Sequence, residues 1–356
     1  MLFQNENAAA PYRWRNILTK PAGGDRWSTA GSEAIALAKS IAIDPANSDR
    51  LYIPYGDHAY FTSDDGGQTL EVLVTFETLK KQSGNRGDSG TLMVDERDPR
   101  LLYAATEGPH QQFDDGGVMI SRDNGKTWET IGGQLDGDER GLPRAGIMDL
   151  AVEYEGDKRN LYVASYGSKS DSGGVYFLRA TDAKNRWQRI LAAAGTRALA
   201  SRDNFDALFA GVDGKGVYQM ERRDGEWRQT QLIELGSSKK FYDLETGPES
   251  GTIYAATDAG LFAIGRGGRA VKISPPLDAS RKRLRSAVEV FPQNEDIIYF
   301  TTDRSAVFRS SDRGRTWQEI SSGIPTMGFV VLKVDPSRDI IYAEPPGGGI
   351  WKRRFD

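Results

Sequence analysis

One short phrase recurs along the 356-residue chain and constrains the fold more than any other feature. Each copy starts with an aliphatic and an aromatic residue, continues through mostly small apolar residues, and ends in acidic, polar or glycine residues. The seven copies begin at Leu51, Leu102, Leu161, Leu208, Ile253, Ile298 and Ile341. Their starts lie 43 to 59 residues apart, which is the period of a four-stranded unit rather than of a helical solenoid. The repeat therefore predicts seven similar four-stranded units.

The other strands of each unit follow from the alternation of apolar and polar residues. The sixth unit shows them most clearly, with strand A at 286–292, strand B from Ile298, strand C at 305–311 and strand D at 316–320. Such units arranged in a ring form a β-propeller, whose closure removes exposed sheet edges. We therefore predict an all-β chain folded as a single seven-bladed β-propeller.

The last unit has three strands at the C-terminal end of the sequence, the third at 348–355. Residues 12–18, YRWRNIL, carry the Trp-x-x-Ile spacing of the strand at 316–320. We predict that this N-terminal strand completes the last blade and closes the ring. The expected organisation is a flexible segment over 1–11 and one propeller over 12–356.

Composition narrows the classes of function. The absence of cysteine excludes disulfides and Cys-ligated metals, and two histidines exclude a multi-histidine metal site, so no metal or cofactor is predicted. A net charge of −4 argues against general nucleic-acid binding. No apolar run approaches the roughly 20 residues that span a bilayer, and residues 1–11 lack the pattern of a signal peptide. We expect no transmembrane segment, and a secreted or periplasmic chain after removal of a leader.

A second motif, SSDRGRTW at 310–317, recurs as SRDNGKTW at 121–128 and SDDGGQTL at 63–70, each between strands C and D. An aspartate in such a turn accepts backbone N–H groups, Gly314 supplies a positive φ, and a tryptophan packs between sheets. We therefore predict structural roles for Asp65, Asp123, Trp128, Asp312 and Trp317. Blades three to five retain only fragments of the motif, which argues against a set of functional ligands.

Function is expected on the opposite face, which carries the B-to-C turns and the D-to-A loops. Acidic residues end several B strands, namely Asp57, Glu107, Asp213, Asp258 and Asp303. Two carboxyl groups across a cleft are what glycoside hydrolysis requires, so Asp57, Glu107 and Asp303 are the catalytic candidates. An acid at this position can equally serve the turn itself, and both roles stay open.

Other residues of the same loops are candidates for ligand binding. Aromatic rings suited to sugar stacking and polar groups near them are Trp27, Tyr55, His58, His110, Phe113, Tyr166 and Lys169. Many lysines and arginines fall in these loops as well. If several converge, they suit an anionic glycan or an acidic protein patch; otherwise they form a solvated surface.

The octapeptides resemble the Asp-box, or BNR repeat, of sialidases, of glycoside hydrolase family 74, of sortilin Vps10 domains and of photosystem II assembly propellers. The segments YRWRNI and SIAIDPANSDRLYIPYGDHAYFTSDDG, from Tyr12 and Ser40, are similar to the opening of a family 74 propeller. That resemblance implies a xyloglucan-cleaving endoglucanase built from two facing propellers, each with a catalytic aspartate where strand B of blade one ends. The matching position is Asp57.

This sequence departs from the family pattern in two ways. His58 and Ala59 stand where the family commonly has two glycines, and one propeller is present rather than two. The sialidase Arg-Ile-Pro segment is absent. Two functions are carried forward, a carbohydrate-active propeller that binds or hydrolyses a polysaccharide, and a non-catalytic propeller for protein interaction or assembly.

Overall fold

The computed structural model describes residues 3–5, 14–16, 19–21, 27–29, 40–56, 59–67, 69–83, 89–107, 116–133, 141–168, 173–179, 186–202, 205–235, 240–277, 285–303, 306–321, 331–344 and 350–354. Seven sheets, six of them antiparallel and the last mixed, form successive blades that pack side by side. The predicted all-β, seven-bladed propeller is confirmed.

The first three blades each contain four strands in sequential order. Blade one comprises β5 (Ala42–Asp44), β6 (Asn47–Tyr55), β7 (Ala59–Ser63) and β8 (Glu71–Thr75). Blade two comprises β9 (Ser89–Val94), β10 (Leu102–Thr106), β11 (Val118–Ser121) and β12 (Glu129–Gly132). Blade three comprises β13 (Gly146–Glu155), β14 (Lys158–Gly167), β15 (Gly174–Leu178) and β16 (Trp187–Ala192).

Blades four to six repeat the pattern. Blade four comprises β17 (Thr196–Arg202), β18 (Ala207–Val212), β19 (Gly216–Arg223) and β20 (Glu226–Ile233). Blade five comprises β21 (Phe241–Thr246), β22 (Ile253–Thr257), β23 (Gly260–Ile264) and β24 (Ala270–Lys272). Blade six comprises β25 (Ser286–Val290), β26 (Ile298–Thr302), β27 (Phe308–Ser310) and β28 (Gln318–Glu319).

Blade seven differs from the prediction in its outer strands. Its inner strands are β29 (Val331–Asp335), β30 (Ile340–Glu344) and β31 (Trp351–Arg354). β1 (Phe3–Asn5) runs parallel to β31, and β2 (Trp14–Asn16) pairs with β1 on its outer side. The strand expected at 12–18 therefore lies one position further out, and the segment 1–11 supplies the strand next to β31. A parallel neighbour satisfies an edge by hydrogen bonds as an antiparallel one does.

The connection after blade one contains a helix where a loop was expected. In α1 (Phe76–Ser83), the Thr75 hydroxyl accepts the N–H of Thr78 at 3.3 Å and so caps the first turn. Leu79 is 3% exposed and anchors the helix on the core. A short ribbon of β3 (Thr19–Pro21) and β4 (Trp27–Thr29) lies elsewhere in the N-terminal region. Within the described residues, no helix is long and apolar enough to cross a membrane.

Strand B of each blade is apolar because it is buried on both faces. Every residue of β10, β22 and β26 is buried. In blade three, Leu161 and Val163 join the core shared with blade two, whereas Tyr162 and Ala164 join the core shared with blade four. Successive side chains of a strand point to opposite faces, so one strand serves two interfaces. This double burial explains why the recurring phrase of the sequence is mostly apolar.

Strand A is the inner edge of each blade, and in blades four to seven an acidic side chain of the preceding blade accepts one of its N–H groups. In each case a side-chain carboxylate oxygen accepts a backbone N–H. The pairs are Asp149 with the N–H of Leu199 at 2.8 Å, Asp213 with that of Phe241 at 2.9 Å, Asp243 with that of Val288 at 3.0 Å and Glu289 with that of Val334 at 3.2 Å. Charge-assisted bonds of this kind are stronger than neutral ones. Each of these acids therefore ties one blade to the next along the ring.

The three octapeptides form the same turn between strands C and D. In the last one, the Asp312 carboxylate accepts the N–H of Thr316 and the hydroxyl of Ser310, each at 2.8 Å. The corresponding contacts elsewhere are Thr69 and Ser63 to Asp65, and Thr127 and Ser121 to Asp123. Each carboxylate is thus bound to groups of its own turn.

The glycine and the tryptophans of these turns reach the neighbouring blade. Gly314 has φ +82°, and a Cβ atom there would lie 2.7 Å from the Cδ1 of Ile273. The Trp317 indole donates to the Ile273 carbonyl at 2.7 Å. Trp128 is 4% exposed and meets Tyr60 of blade one edge-on, with ring centroids 5.5 Å apart. These turns therefore help to dock adjacent blades.

Candidate functional site

Blades three and four meet at the face that carries the B-to-C turns, called here the loop face. Arg197, at the start of strand A of blade four, donates to the Asp213 carboxylate at 2.6 Å. The Arg197 guanidinium also lies over the Tyr166 ring, 4.5 Å from its centroid. Both members of the ion pair are largely buried, at 14% and 13% exposure. The ion pair and the ring form a fixed patch with a partly exposed aromatic side chain.

Tyr242 extends this patch toward blades five and six. Burial, the largest cause, and the negative charges of Asp258, Asp213 and Asp303 together raise the pKa of Tyr242 to about 12, although the positive charge of Arg197 opposes them. The Tyr242 hydroxyl makes no hydrogen bond with the described residues. Acids from three consecutive blades therefore surround one partly exposed tyrosine. We call Tyr166, Arg197, Asp213, Tyr242, Asp258 and Asp303 the loop-face cluster.

Backbone hydrogen bonds fix the members of the loop-face cluster. The Asp213 N–H donates to the Gly195 carbonyl at 2.9 Å, and the Asp303 N–H donates to the Arg285 carbonyl at 3.0 Å. Burial raises the pKa of Asp213, although the positive charge of Arg197 acts in the opposite sense. An aromatic ring beside carboxylates and a guanidinium offers stacking and hydrogen-bonding groups to a polar ligand.

A second group of charges lines the inner strands, deeper in the ring. Lys333 of blade seven donates to Glu289 of blade six at 3.0 Å, and its side chain is 38% exposed, so water reaches the pair. Asp149, Asp243 and Glu245 carry further carboxyl groups close enough to influence one another. We call these five residues the channel cluster. Among the described residues, no group of three or more acidic or histidine side chains is arranged to hold a metal ion.

Burial is the main cause of the shifted pKa values of three carboxyl groups in the channel cluster. It raises the pKa of Asp149 to about 6, against two backbone N–H groups that favour the ionised form. It also raises the pKa of Asp243 and of Glu245 well above their ordinary values, and the charge of Glu289 adds to both shifts. Lys333 has its own pKa raised, first by Glu289. The carboxyl groups of Asp149, Asp243 and Glu245 therefore hold their protons to a higher pH than they would in water.

Several residues predicted from the sequence lie outside the described part of the chain. These are Asp57, His58, His110, Phe113 and Lys169. Trp27 lies in β4, opposite Pro21 of β3. The proposed roles of all six stay predictions.

The structure separates the two described catalytic candidates. Glu107 follows β10 in blade two, and Asp303 follows β26 in blade six, so three blade-to-blade steps lie between them on the shorter way around a ring of seven. Asp303 belongs to the loop-face cluster beside Tyr242, whereas Glu107 stands in another sector. Their catalytic roles stay predictions.

Tyr166 and Tyr55 differ in their surroundings. Tyr166 belongs to the loop-face cluster. Tyr55 is 3% exposed and packs edge-on against Phe61, with ring centroids 5.4 Å apart. Stacking on a sugar needs an exposed ring face, so Tyr55 is not a stacking platform in this conformation.

Sequence reasoning missed Arg197 and Tyr242. Both stand near the beginnings of inner strands, in TRALAS and KKFYDLE, where they read as ordinary polar positions of a strand. The signal available for Arg197 was that it precedes the apolar run Ala198 to Ala200 at the loop-face end of strand A. Recognising the cluster required the contacts between blades.

Comparisons with known proteins agree with the fold. No family model matches the sequence. An oligoxyloglucan-reducing end-specific xyloglucanase from Emericella nidulans is 25% identical over 202 residues, which is 53% of this chain and 22% of that protein. The chain thus spans less than a quarter of that relative's length.

Two solved structures show the same architecture. The family 74 (GH74) xyloglucanase from Xanthomonas campestris superposes with a TM-score of 0.67 at 18% identity, covering 92% of this chain and 53% of that one. A structure of YCF48 bound to D1 peptide superposes with a TM-score of 0.60 at 16% identity, covering 90% of this chain and 93% of that one. At these sequence identities, structural likeness establishes only the fold, which is that of a seven-bladed propeller.

Proposed function

We propose that this chain is a carbohydrate-active propeller that binds a polysaccharide on its loop face and hydrolyses it with Asp57 as acid or base. The observation that carries the proposal is the sequence similarity to a xyloglucanase, at 25% identity over 202 residues. Xyloglucan is accordingly the first substrate to test. Action on a polysaccharide also favours a location outside the cytoplasm.

The loop-face cluster supports binding of a hydroxyl-rich ligand. Tyr166 and Tyr242 offer partly exposed rings, and the Tyr242 hydroxyl can donate and accept a hydrogen bond. Asp258 and Asp303 supply carboxylate acceptors next to that ring. Because Arg197 is already bound to Asp213, the described cluster offers little free positive charge to an anionic glycan. A neutral glycan is the better fit to these residues.

Hydrolysis would need two carboxyl groups on either side of the scissile bond. One protonates the leaving oxygen, and the other activates water or attacks the anomeric carbon. We assign Asp57 to one role. Asp303, two blade steps from blade one, and Glu107, one step away, are the described candidates for the other.

The test is a depolymerisation screen on xyloglucan, mixed-linkage glucans and uronate polymers. Wild type is compared with Asp57→Asn and with the control Asp206→Asn, an exposed aspartate at the A-to-B turn of blade four, on the opposite face. We expect cleavage of a neutral glucan by wild type and by the control, and none by Asp57→Asn. Cleavage by all three proteins would show that Asp57 is not catalytic. Cleavage by none of them would show that the chain is not a hydrolase of these polymers.

A second candidate function is a non-catalytic interaction propeller. The observation that favours it is size, because this chain matches the YCF48 structure over 93% of that chain but the xyloglucanase over only 53%. A peptide or an acidic protein patch would then occupy the loop face. Calorimetric titration with glycans separates the two functions. A chain that binds a glycan without cleaving it is still a carbohydrate-binding propeller. A chain that binds no glycan supports the second function, protein interaction.

A further inference from the structure

The inner strand pairs of blades four and five share an irregularity at the loop-face end. In blade four, Thr196 and Ala198 pair with consecutive residues of β18, so Arg197 is an extra residue of β17. Tyr242 is the extra residue of β21 in blade five. An extra residue in one strand of a pair is a β-bulge, which re-aims a side chain and is common next to active sites.

Blades two and three carry bulges at the corresponding end of their inner strands. In blade three, Met148 is extra in β13 and Tyr166 is extra in β14. In blade two, Gly90 and Thr91 of β9 stand opposite Ala105 of β10 alone. A side chain does not fit at the first of these positions, because a Cβ atom on Gly90 would lie 2.7 Å from the Ala105 carbonyl oxygen. Four consecutive blades therefore have a bulged inner strand pair.

The inner strand pairs of the next two blades are regular. β25 pairs with β26 without interruption from Ser286 to Val290, and β29 pairs with β30 in the same way from Val331 to Asp335. Blades six and seven thus show that a blade of this chain packs into the ring without such a bulge. The bulges of blades two to five are therefore not a requirement of the fold.

The extra residues are linked across the blade boundaries. The Thr91 hydroxyl donates to the Met148 carbonyl at 3.3 Å, which joins blades two and three. The Arg197 guanidinium lies 4.5 Å from the centroid of the Tyr166 ring, which joins blades three and four. Arg197 and an N–H of β21 both donate to the Asp213 carboxylate, which joins blades four and five. We use the name bulge arc for Thr91, Met148, Tyr166, Arg197 and Tyr242.

The side chains of the bulge arc are half-buried in strands that are otherwise largely buried. Neighbouring residues whose side chains belong to the core are Leu92, Ile147, Ala198 and Phe241. The arc presents a hydroxyl, a thioether, two phenol rings and a guanidinium that is ion-paired with Asp213. These groups combine apolar surface with hydrogen-bonding capacity and add no unpaired charge. Pyranose rings have apolar faces and hydroxyl edges, so they match this combination.

We propose that the bulge arc is the binding surface for an extended, uncharged glycan chain, with Thr91 and Met148 contacting sugar units beyond those at Tyr166 and Tyr242. This inference rests on the proposed function for the class of ligand. It adds blades two and three to the binding surface. A longer chain covers more of the arc, so affinity should rise with the number of sugar units.

The test is calorimetric titration with cello-oligosaccharides and xyloglucan oligosaccharides of increasing length. Wild type is compared with Met148→Ala, Tyr242→Ala and the double variant. Met148→Leu keeps the volume of the side chain and controls for misfolding. Val271→Ala is the matched control on the outer strand of blade five, where Val271 is 50% exposed.

We expect Met148→Ala and Tyr242→Ala each to lower the affinity for the longest oligosaccharide by about 3- to 10-fold. The two effects should multiply in the double variant, because the residues stand in different blades. Met148→Leu and Val271→Ala should bind as wild type does. If wild type binds glycan and Met148→Ala binds it equally well, the inference is wrong while the proposed function stands. If wild type binds none of the oligosaccharides, both fail.

Discussion

Arg197 donates to Asp213 at 2.6 Å on the loop face, and the second oxygen of the same carboxylate accepts the N–H of Phe241 at 2.9 Å. One carboxylate thus joins the inner strand of its own blade to that of the next. The guanidinium on its other side supports the Tyr166 ring. The loop-face cluster is therefore built from the same contacts that hold blades three to five together.

Removing Arg197 should test that double role. Arg197→Met leaves the largely buried Asp213 carboxylate without its cation, so we expect a loss of about 3 kcal/mol in the free energy of unfolding. Arg122→Met breaks the exposed pair with Glu129 and should cost less than about 1 kcal/mol. Chemical denaturation at pH 7 measures both. Equal losses would show that the Arg197 pair is no more than a surface ion pair.

The channel cluster should make the propeller more stable in mild acid than at neutral pH. The folded pKa of Asp149, about 6, lies above its unfolded value of about 3.9. Between these two pH values the folded state binds more protons than the unfolded state. The stabilisation that Asp149 contributes is therefore lost as pH rises through about 6. Asp149→Asn keeps an acceptor for Leu199 and should remove up to about 2 to 3 kcal/mol of this dependence. Chemical denaturation at several pH values from 4 to 8 measures this dependence. A free energy of unfolding that changes with pH as steeply in Asp149→Asn as in wild type would contradict the prediction.

Asp312 should have the opposite pH dependence. Hydrogen bonds from the Thr316 hydroxyl and N–H lower the pKa of Asp312 to about 2. The ionised Asp312 carboxylate therefore stabilises the folded state above pH 3.9, the approximate pKa of an unfolded aspartate, and this stabilisation is lost as pH falls toward 2. Asp312→Ala should lower the melting temperature at pH 7, and the difference from wild type should shrink below pH 3. A difference that persists at pH 2 would assign the effect to packing rather than to ionisation.

Tyr242 should contribute to ligand affinity more than to stability. Tyr242→Ala removes the ring and its hydroxyl from the loop-face cluster, and we expect a loss of affinity of about 3- to 10-fold for a bound oligosaccharide. Tyr242→Phe keeps the ring and isolates the hydroxyl. Calorimetric titration measures both variants. Wild-type affinity in Tyr242→Ala would place the ligand away from this cluster.

The repeated architecture could be predicted because each blade repeats the same physical constraint. Strand B is packed on both sides, so Tyr103, Tyr162 and Tyr254 stand in phrases of mostly small apolar residues that are easy to recognise. The octapeptide turns could be predicted as well, because the Asp312 contacts are local in sequence. The outer strands of blade seven could not, since β1 is three residues long and lacks a repeat to compare with.

The functional residues depend on contacts between blades, which the sequence does not display. Asp149, Asp243 and Glu289 look like polar positions of half-exposed strands, although each caps the next blade. Arg197 and Tyr242 become neighbours only through the order of the ring.

The most direct test of the central claim is the release of reducing ends from xyloglucan by the wild-type chain and by Asp57→Asn under identical conditions. The proposed function predicts release by wild type and none above background by the variant, with both proteins folded and equally stable. Equal release by the two proteins, or release by neither, would contradict it.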